Sequence, residues 1–314
     1  MLMPLCSRGS LYDEIVNRYP TKQYFTDRGV LKIFEEVCHG VAVLHSKRPR
    51  PIIHRDLKVE NVLFDEHLQA QVCDFGSATD RYISPSSMRK DLIEEEIQAA
   101  TTLVYRAPEC IEFFSEYLIT EKMDIWALGC LLFKTMYFED AFAEGALAIV
   151  NVKPATPPAV RQFSRALQEL YAWLWTENPS ERPDIFQVIV RVSELRGNPV
   201  TYDSLRERYW RLHTGGRGTV EEYYRSIDSS DIAASKNTAF SAGPAAKSAL
   251  SLGLFDSSSS SSTTTSSSSS SSYRPTQPAS TLSTLSSSNF SAIQEQQPTV
   301  DFFSASPAPL STTP

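Results

Sequence analysis

Between residues 26 and 46, apolar side chains recur at steps of three and four positions, which is the spacing of one face of an α-helix. That face comprises Val30, Ile33, Phe34, Val37, Val41 and Leu44. Thr26 or Asp27 can cap the start of this helix, and Pro49 and Pro51 prevent its continuation. The stripe predicts a helix whose apolar face packs against a core.

The same spacing identifies further helices, and shorter apolar runs identify a hairpin. Helices are predicted to begin at a Ser10 cap, to cover 92–100, to run from a Thr120 cap to about Tyr137, and to lie near 164–175 and 184–195. Two apolar runs, 61–64 and 70–73, have the length of strands and flank a polar turn, which is typical of a β-hairpin. Residues 80–90 are expected to be loop. We predict an α+β fold that is mostly helical with one small hairpin.

The composition changes near residue 229. Up to about residue 228, apolar, aromatic and charged residues are mixed as in a globular domain. From there to the end the chain is rich in Ser, Thr, Ala and Pro, and residues 257–272 are Ser and Thr without a break. Such a segment has too few apolar side chains to offset the entropy of ordering. Residues 229–314 are therefore predicted to form a disordered tail.

Charge, cysteine usage and hydropathy indicate the cellular environment of the protein and the kinds of partner it binds. The formal net charge of −7 argues against general affinity for nucleic acid or anionic membranes. The 5 cysteines have no metal-ligand spacing, which favours a reduced, intracellular environment. The longest apolar run, Ile125 to Phe133, is far shorter than the roughly 20 residues that span a bilayer. We expect a cytoplasmic protein without a transmembrane segment.

The segment His54-Arg-Asp-Leu-Lys-Val-Glu-Asn61 carries residue types that phosphoryl transfer requires. That reaction needs a carboxylate beside the attacking hydroxyl and cations that neutralise the phosphates. Asp56 can accept the hydroxyl proton. Lys58, two residues later along an extended loop, lies on the same side and can reach the transferring phosphoryl group.

Two oxygen donors in the same region predict a magnesium site. Asn61 ends that segment, and Asp74 begins the tripeptide Asp74-Phe-Gly76. Mg²⁺ prefers carboxylate and carbonyl oxygens as ligands. Because the predicted hairpin folds the chain back between them, Asn61 and Asp74 can face one metal cluster.

Three more motifs follow in order: Thr101-Thr-Leu-Val-Tyr-Arg-Ala-Pro-Glu109, Asp124-Ile-Trp-Ala-Leu-Gly129 and Arg182. Each is common alone, but together they match the signature set of protein kinases in order and spacing. About residues 1–196 thus resemble eukaryotic-type Ser/Thr protein kinases. The resemblance divides the chain into a hinge remnant (1–9), a mostly helical C-terminal kinase lobe (10–200), a C-terminal extension (201–228) and the tail (229–314).

The resemblance implies a role for each matching residue of the site. Asp56 would be the catalytic base, and Lys58 marks a Ser/Thr kinase and not a tyrosine kinase. Thr102 would bond both the catalytic Asp and the Lys. Asn61 and Asp74 would bind Mg²⁺.

Structural roles also follow from the resemblance. Arg55 would receive a phosphate of the activation loop if there is one. Glu109 and Arg182 would form a buried ion pair. The lower half of the regulatory spine would comprise His54, Phe75 and Asp124. The acidic run 94–96 has no counterpart among these roles and is expected to be a solvated helix face.

Longer strings, at 54–63, 73–79, 101–109 and 124–134, resemble the Numb-associated kinase family, which includes the adaptor-associated and cyclin-G-associated kinases. That family has an extra helix in its activation segment, which suits 92–100. The resemblance implies protein substrates that are phosphorylated on Ser or Thr, among them clathrin-adaptor and vesicle-trafficking proteins. It also implies a peripheral place on endocytic or vesicle membranes.

The N-terminal lobe of such kinases is expected to be absent from this chain. No Gly-x-Gly-x-x-Gly occurs, and no strand-borne Lys precedes the hinge. By alignment with the family, Pro4 and Cys6 would contact the adenine of ATP and Leu63 would form its floor, while a free N-terminal tail is the alternative for 1–9. Without that lobe we expect weak binding of ATP and Mg²⁺. The alternative function is a catalytically weak, kinase-like scaffold or binding module.

Overall fold

Nine α-helices and one pair of strands form the regular structure of residues 6–113, 117–159 and 163–225, the part of the chain that the computed structural model describes. The helices are α1 (Leu11–Arg18), α2 (Asp27–His45), α3 (Lys90–Ala100), α4 (Lys122–Tyr137), α5 (Ala146–Val150), α6 (Arg165–Leu174), α7 (Ile185–Leu195), α8 (Tyr202–Thr214) and α9 (Val220–Arg225). The strands are β1 (Val62–Phe64) and β2 (Ala70–Val72). This mostly helical architecture with a small antiparallel hairpin fits a protein-kinase-like fold.

The first two helices start where their capping residues predict. The Ser10 hydroxyl accepts a hydrogen bond from Asp13 N at 3.1 Å, and the Asp13 carboxylate accepts one from Ser10 N at 2.8 Å. This reciprocal arrangement satisfies two amides that the first turn of α1 leaves without helical partners. The Thr26 hydroxyl caps α2 by accepting a hydrogen bond from Gly29 N at 3.1 Å. Both predicted caps are confirmed.

The hairpin is fixed to α2 by side chains on one helix face. Its register pairs Val62 with Val72 and Phe64 with Ala70. Glu36 of α2 accepts a hydrogen bond from Ala70 N at 2.8 Å. A Cβ on Gly40 would lie only 3.0 Å from a Val72 methyl, so the helix and strand approach closely because residue 40 has no side chain. The hairpin that carries Asn61 and precedes Asp74 thus has a fixed place on the core.

Helix α4 lies at the centre of the core. Most of its side chains are buried on every face, as expected for a helix that is apolar all round. Trp126 stacks on Phe142 with ring centroids 5.4 Å apart, and Trp175 packs edge-on to Phe142 at 4.9 Å. A Cβ on Gly129 would lie 2.6 Å from the Trp175 indole nitrogen, so a glycine is required there. None of the described helices has both the length and the apolar character needed to cross a membrane.

Most predicted elements are confirmed, and the boundaries of two helices differ from the prediction by one or two residues. Helix α3 begins two residues before the predicted 92. The cap position of α4 is Glu121 and not Thr120, although the Thr120 hydroxyl still accepts a hydrogen bond from Lys122 N at 3.3 Å. The short helix α5 and the helices α8 and α9 were not predicted. The predicted tail, 229–314, lies outside the described residues.

An ion pair between Glu109 and Arg182 joins the 3₁₀ turn at 108–110 to the segment before α7. The guanidinium nitrogens lie 2.7 and 3.0 Å from the carboxylate oxygens, and both side chains are 0% exposed. Arg182 also donates to the carbonyl oxygens of Lys122, Thr176 and Glu177. The geometry implied by the resemblance is therefore present, and every side of the buried charge meets a hydrogen-bond acceptor.

Removing the carboxylate should destabilise the fold strongly, because it leaves the Arg182 charge buried without its counter-ion. We expect Glu109→Ala to lower the free energy of unfolding by about 3–5 kcal/mol. The matched control is Glu194→Ala, which breaks the exposed 3.1 Å pair with Arg191 and should cost less than about 1 kcal/mol. Urea titration followed by circular dichroism measures both. Equal losses in the two variants would contradict the assignment.

Candidate active site

The carboxylate of Asp124 holds the 54–61 segment, which we call the catalytic loop, by its backbone. Its two oxygens accept hydrogen bonds from His54 N at 2.7 Å and from Arg55 N at 2.9 Å, and a ring nitrogen of His45 lies 2.9 Å from it. Arg55 has φ = 70°, in the left-handed region that disfavours residues other than glycine. The buried carboxylate thus stabilises a backbone conformation that the loop sequence alone does not favour.

Four of the predicted site residues meet at the carboxylate of Asp56. Lys58 Nζ donates to one oxygen at 2.7 Å, and the Thr102 hydroxyl donates to the other at 2.7 Å. Lys58 Nζ also lies 3.2 Å from the Thr102 oxygen. The Asn61 amide nitrogen donates to the Asp56 carbonyl oxygen at 2.8 Å and contacts its carboxylate at 3.2 Å. We call Asp56, Lys58, Asn61 and Thr102 the carboxylate network.

The carboxylate network lowers the pKa of Asp56. Burial alone would raise that pKa, but it is outweighed by the hydrogen bonds from Lys58 and Thr102, the positive charge of Lys58 and the Asn61 amide. A lowered folded-state pKa means that the ionised carboxylate stabilises the fold above its ordinary pKa, and that this contribution is lost as the pH falls through the folded-state value. Asp56 is therefore ionised near neutral pH and can accept a proton.

Asn61 and Asp74 lie at the same end of the hairpin. Cys73, which precedes Asp74, donates its backbone N–H to the Asn61 carbonyl oxygen at 2.9 Å. The Asp74 side chain is exposed and accepts one hydrogen bond, from Gly76 N at 3.2 Å, and its backbone has φ = 61°. The Asn61 amide nitrogen is turned to Asp56, so its amide oxygen is the atom left for a ligand.

These two donors fit the requirements of Mg²⁺ in a nucleotide site. Mg²⁺ is usually held by one or two protein oxygens together with waters and substrate phosphates. Asn61 and Asp74 provide two such oxygens close in the structure, and Asp74 has an exposed carboxylate with oxygen sites to spare. Over the described ranges, no group of three or more His, Cys, Asp and Glu side chains could hold a metal alone.

Three residues are assigned to the adenine site. Pro4 lies outside the described residues, Cys6 is the first of them, and Leu63 lies in β1. Cys6 and Leu63 are both half-buried, and Leu63 pairs with Ser10 across an isolated antiparallel bridge. Burial raises the pKa of the Cys73 thiol, and the nearby charge of Asp74 adds to it. Gly9, three residues after Cys6, accepts a hydrogen bond from Phe64 N of the hairpin at 2.9 Å. The start of the described chain therefore borders the predicted magnesium ligands.

The three residues expected to form the lower half of the regulatory spine contact one another through His54. Its ring lies 5.4 Å from the Phe75 ring, and its Nε2 is 3.0 Å from the Cys73 carbonyl oxygen. Its backbone N–H is the one bound by Asp124. Phe75 remains 49% exposed, which makes it one of the largest apolar side chains left open at the surface of the described residues.

One prediction about helix α3 is wrong. Glu94 and Glu95 are exposed, but Glu96 is half-buried and lies 2.9 Å from an Arg55 guanidinium nitrogen. Arg81 also contacts the Glu96 carboxylate. The acidic run therefore does not form a uniformly solvated face. The sequence contained a usable signal, since Ile93 and Ile97 are buried and place residue 96 on the inward side of the helix.

The segment after Thr102 offers an exposed apolar contact beside the carboxylate network. Leu103 is 40% exposed, whereas Tyr105 is buried. Arg106 donates to the Thr101 hydroxyl at 2.6 Å and to the Thr101 carbonyl oxygen at 3.2 Å. The guanidinium of Arg106 thus fixes the loop on which Leu103 is presented.

The fold and the assembled site define a protein kinase lobe, and comparison with known proteins agrees. The protein kinase domain family matches residues 1–191 of this chain. The chain therefore belongs to the protein kinase domain family.

Curated relatives with similar sequences are serine/threonine kinases by name. Two probable serine/threonine-protein kinases of Dictyostelium discoideum are 41% identical over 209 residues and 40% identical over 199 residues, which is 65% and 63% of this chain. The serine/threonine-protein kinase ppk30 of Schizosaccharomyces pombe is 37% identical over 203 residues, or 64% of this chain. The matched regions cover 18%, 24% and 21% of these relatives, so the chain spans only a small part of their length.

Removing the charge of Lys58 should raise the pKa of Asp56, because the carboxylate loses both a hydrogen bond and a nearby cation. We expect Lys58→Met to show the larger increase and Thr102→Val a smaller one, since Thr102 supplies a hydrogen bond without a charge. Carboxyl ¹³C NMR titration of Asp56 measures these values. Lys153→Met, which removes an exposed lysine, is the control. An unchanged Asp56 pKa in Lys58→Met would refute the network as its cause.

Proposed function

We propose that this protein transfers the γ-phosphoryl group of ATP to serine or threonine hydroxyls of proteins. The observation that carries the proposal is the carboxylate network, in which one ionised carboxylate contacts an ammonium, a threonine hydroxyl and an asparagine amide within 3.2 Å. Family membership and the names of the relatives support the same reaction. Phosphoryl transfer depends mainly on positioning and electrostatic stabilisation, which such a network supplies.

Each residue of the network has a chemical role in this mechanism. Asp56 orients the acceptor hydroxyl and takes its proton. Lys58 keeps that carboxylate ionised and can stabilise negative charge on the transferring phosphoryl group. Thr102 bonds both side chains and so fixes the distance between them. Its position just before Leu103 links the acceptor-binding segment to the proton acceptor.

ATP and Mg²⁺ are the cofactors that this reaction implies. Asn61 and Asp74 would hold the metal, which neutralises phosphate charge when bound. Pro4 and Cys6 are proposed to contact the adenine, and Leu63 to form its floor. Of these, Leu63 lies in β1, and both Cys6 and Leu63 are half-buried and so keep some exposed surface for a ligand.

The finer substrate class rests on the resemblance to Numb-associated kinases. We infer that substrates are clathrin-adaptor or other vesicle-trafficking proteins, and that the protein acts in the cytoplasm or peripherally on endocytic membranes. The exposed Leu103, held beside Thr102, is proposed to contact the residue after the acceptor. The resemblance implies a small residue after the acceptor and no requirement for proline.

Loss of either carboxylate should abolish phosphotransfer. We expect Asp56→Asn to reduce the rate on an adaptor-derived threonine peptide by about 10²–10⁴-fold, the contribution typical of general base catalysis. Asp74→Asn should reduce it comparably by weakening the metal site. Asp203→Asn, an exposed carboxylate on α8, is the control and should keep the full rate. Labelled ATP and the full chain are used.

Two outcomes would contradict the proposal. The first is equal rates in the wild type and Asp74→Asn. The second is ATP-independent peptide binding with no phosphotransfer in any form of the chain, which would indicate a binding module.

The acceptor preference tests the substrate assignment separately. We expect a peptide library to show phosphorylation of threonine or serine and none of tyrosine, because the resemblance identifies Lys58 as the residue that marks Ser/Thr kinases. Leu103→Ala should relax the preference at the following residue and leave the acceptor preference unchanged. A requirement for tyrosine, or for proline after the acceptor, would contradict it.

A further inference from the structure

Two guanidinium groups converge on one carboxylate of α3. Arg55 lies 2.9 Å from one oxygen of Glu96, and Arg81 contacts the other. The side chains of Arg55 and Glu96 are only 13% and 22% exposed, and that of Arg81 is 42% exposed. A carboxylate between two guanidiniums is a strong, directional arrangement, and a phosphate dianion would satisfy the same donors.

The Glu96 carboxylate is connected to the proposed proton acceptor, Asp56, through Arg55. Arg55 immediately precedes Asp56, and its backbone N–H is fixed by Asp124. The Arg55 side chain also donates to the Ser77 carbonyl oxygen, in the segment that follows Asp74. Glu96 therefore links three parts of the site through one arginine: the catalytic loop, the start of the activation segment and helix α3.

Four hydroxyl groups of the activation segment, residues 74–109, have contacts other than with the two guanidiniums. The Thr79 hydroxyl accepts from Arg81 N at 3.2 Å, and the Ser84 and Ser86 hydroxyls lie 3.0 Å apart in an exposed turn. The Thr101 hydroxyl donates to the Ile97 carbonyl oxygen. Within the described residues, the anion that meets both Arg55 and Arg81 is Glu96.

We propose that Glu96 is a positioning residue that takes the place of an activating phosphate. Its carboxylate neutralises Arg55 and Arg81 and holds the catalytic loop against α3, so the site is set without phosphorylation of the activation segment. The inference deepens the proposed kinase function and rests on it for its consequence for catalysis. Its structural part, a two-arginine anion site filled by Glu96, stands on geometry alone.

Removing the carboxylate should expose an empty anion site. In Glu96→Ala, the two guanidiniums lose their counter-ion and repel each other, so the catalytic loop should loosen. We expect amide hydrogen exchange over 54–61 in the full chain to become faster by on the order of tenfold, since hydrogen bonds to charged groups are worth at least that factor. The isosteric Glu96→Gln, which keeps the side-chain volume, should show the same direction of change. The control is the exposed neighbour, Glu95→Ala.

Sulfate gives a readout that a merely structural role of Glu96 would not produce. Sodium sulfate, compared with sodium chloride at equal ionic strength, should slow exchange over 54–61 in Glu96→Ala by filling the vacated site. It should have no such local effect in the wild type or in the double variant Arg55→Ala/Glu96→Ala. General salting-out acts on all variants alike and is removed by this comparison.

The outcomes separate this inference from the proposed function. Exchange over 54–61 that is the same in Glu96→Ala, Glu96→Gln and Glu95→Ala would overturn the positioning role. So would a sulfate effect that is equal in all variants. Where the chain shows phosphotransfer, the wild type should keep its rate after phosphatase treatment, Glu96→Gln should lose most of it, and Glu96→Asp should recover part. A chain with no phosphotransfer but the expected exchange pattern would overturn the kinase proposal alone.

Discussion

The buried carboxylate of Asp124 is the interaction on which the rest of the site depends. It comes from α4, the most deeply buried helix of the described residues, and it binds two successive backbone amides of the catalytic loop. Those amides lie in a loop with a left-handed residue, where no regular ladder could satisfy them. The position of Asp56 is therefore set by the packing of α4, because two hydrogen bonds to Asp124 fix the backbone of the loop that carries Asp56.

The polar groups inside this lobe fix geometry, and the apolar core supplies most of the stability. Burying ions such as Glu109 and Arg182 costs solvation that their attraction barely repays. Their value lies in direction, because Arg182 also binds three carbonyl oxygens and can fit only one arrangement of the surrounding turns. The Glu96 carboxylate also fixes direction, because it meets the guanidiniums of both Arg55 and Arg81.

The sequence was sufficient to predict elements and contacts that depend on the local spacing of residues along the chain. The stripe from Val30 to Leu44 predicted α2, and the two-residue spacing along an extended loop predicted that Lys58 lies on the same side as Asp56. The sequence was insufficient where tertiary contacts decide whether a helix forms or what a side chain contacts. Helix α8 buries only Leu205, Tyr209 and Trp210 among many charged residues, so its periodicity is weak. The positions of Ile93 and Ile97 indicate that residue 96 lies on the inward side of α3, but the sequence does not show which arginines meet Glu96 there.

The two halves of the candidate site differ in how firmly they are held. Asp56 contacts three side chains and has its loop anchored to α4, so the proton acceptor is preorganised. Asp74 is exposed, holds one backbone amide and is followed by a half-exposed Phe75. Asn61 and Asp74 would hold Mg²⁺ with two oxygens, and Mg²⁺ usually takes further ligands from phosphates and waters. In the proposed reaction, bound nucleotide and metal would add contacts to Asp74, whereas the proton acceptor already has its contacts. Changes near Asp74 would therefore act first on nucleotide affinity, and changes to the carboxylate network would act first on the rate of the bound complex.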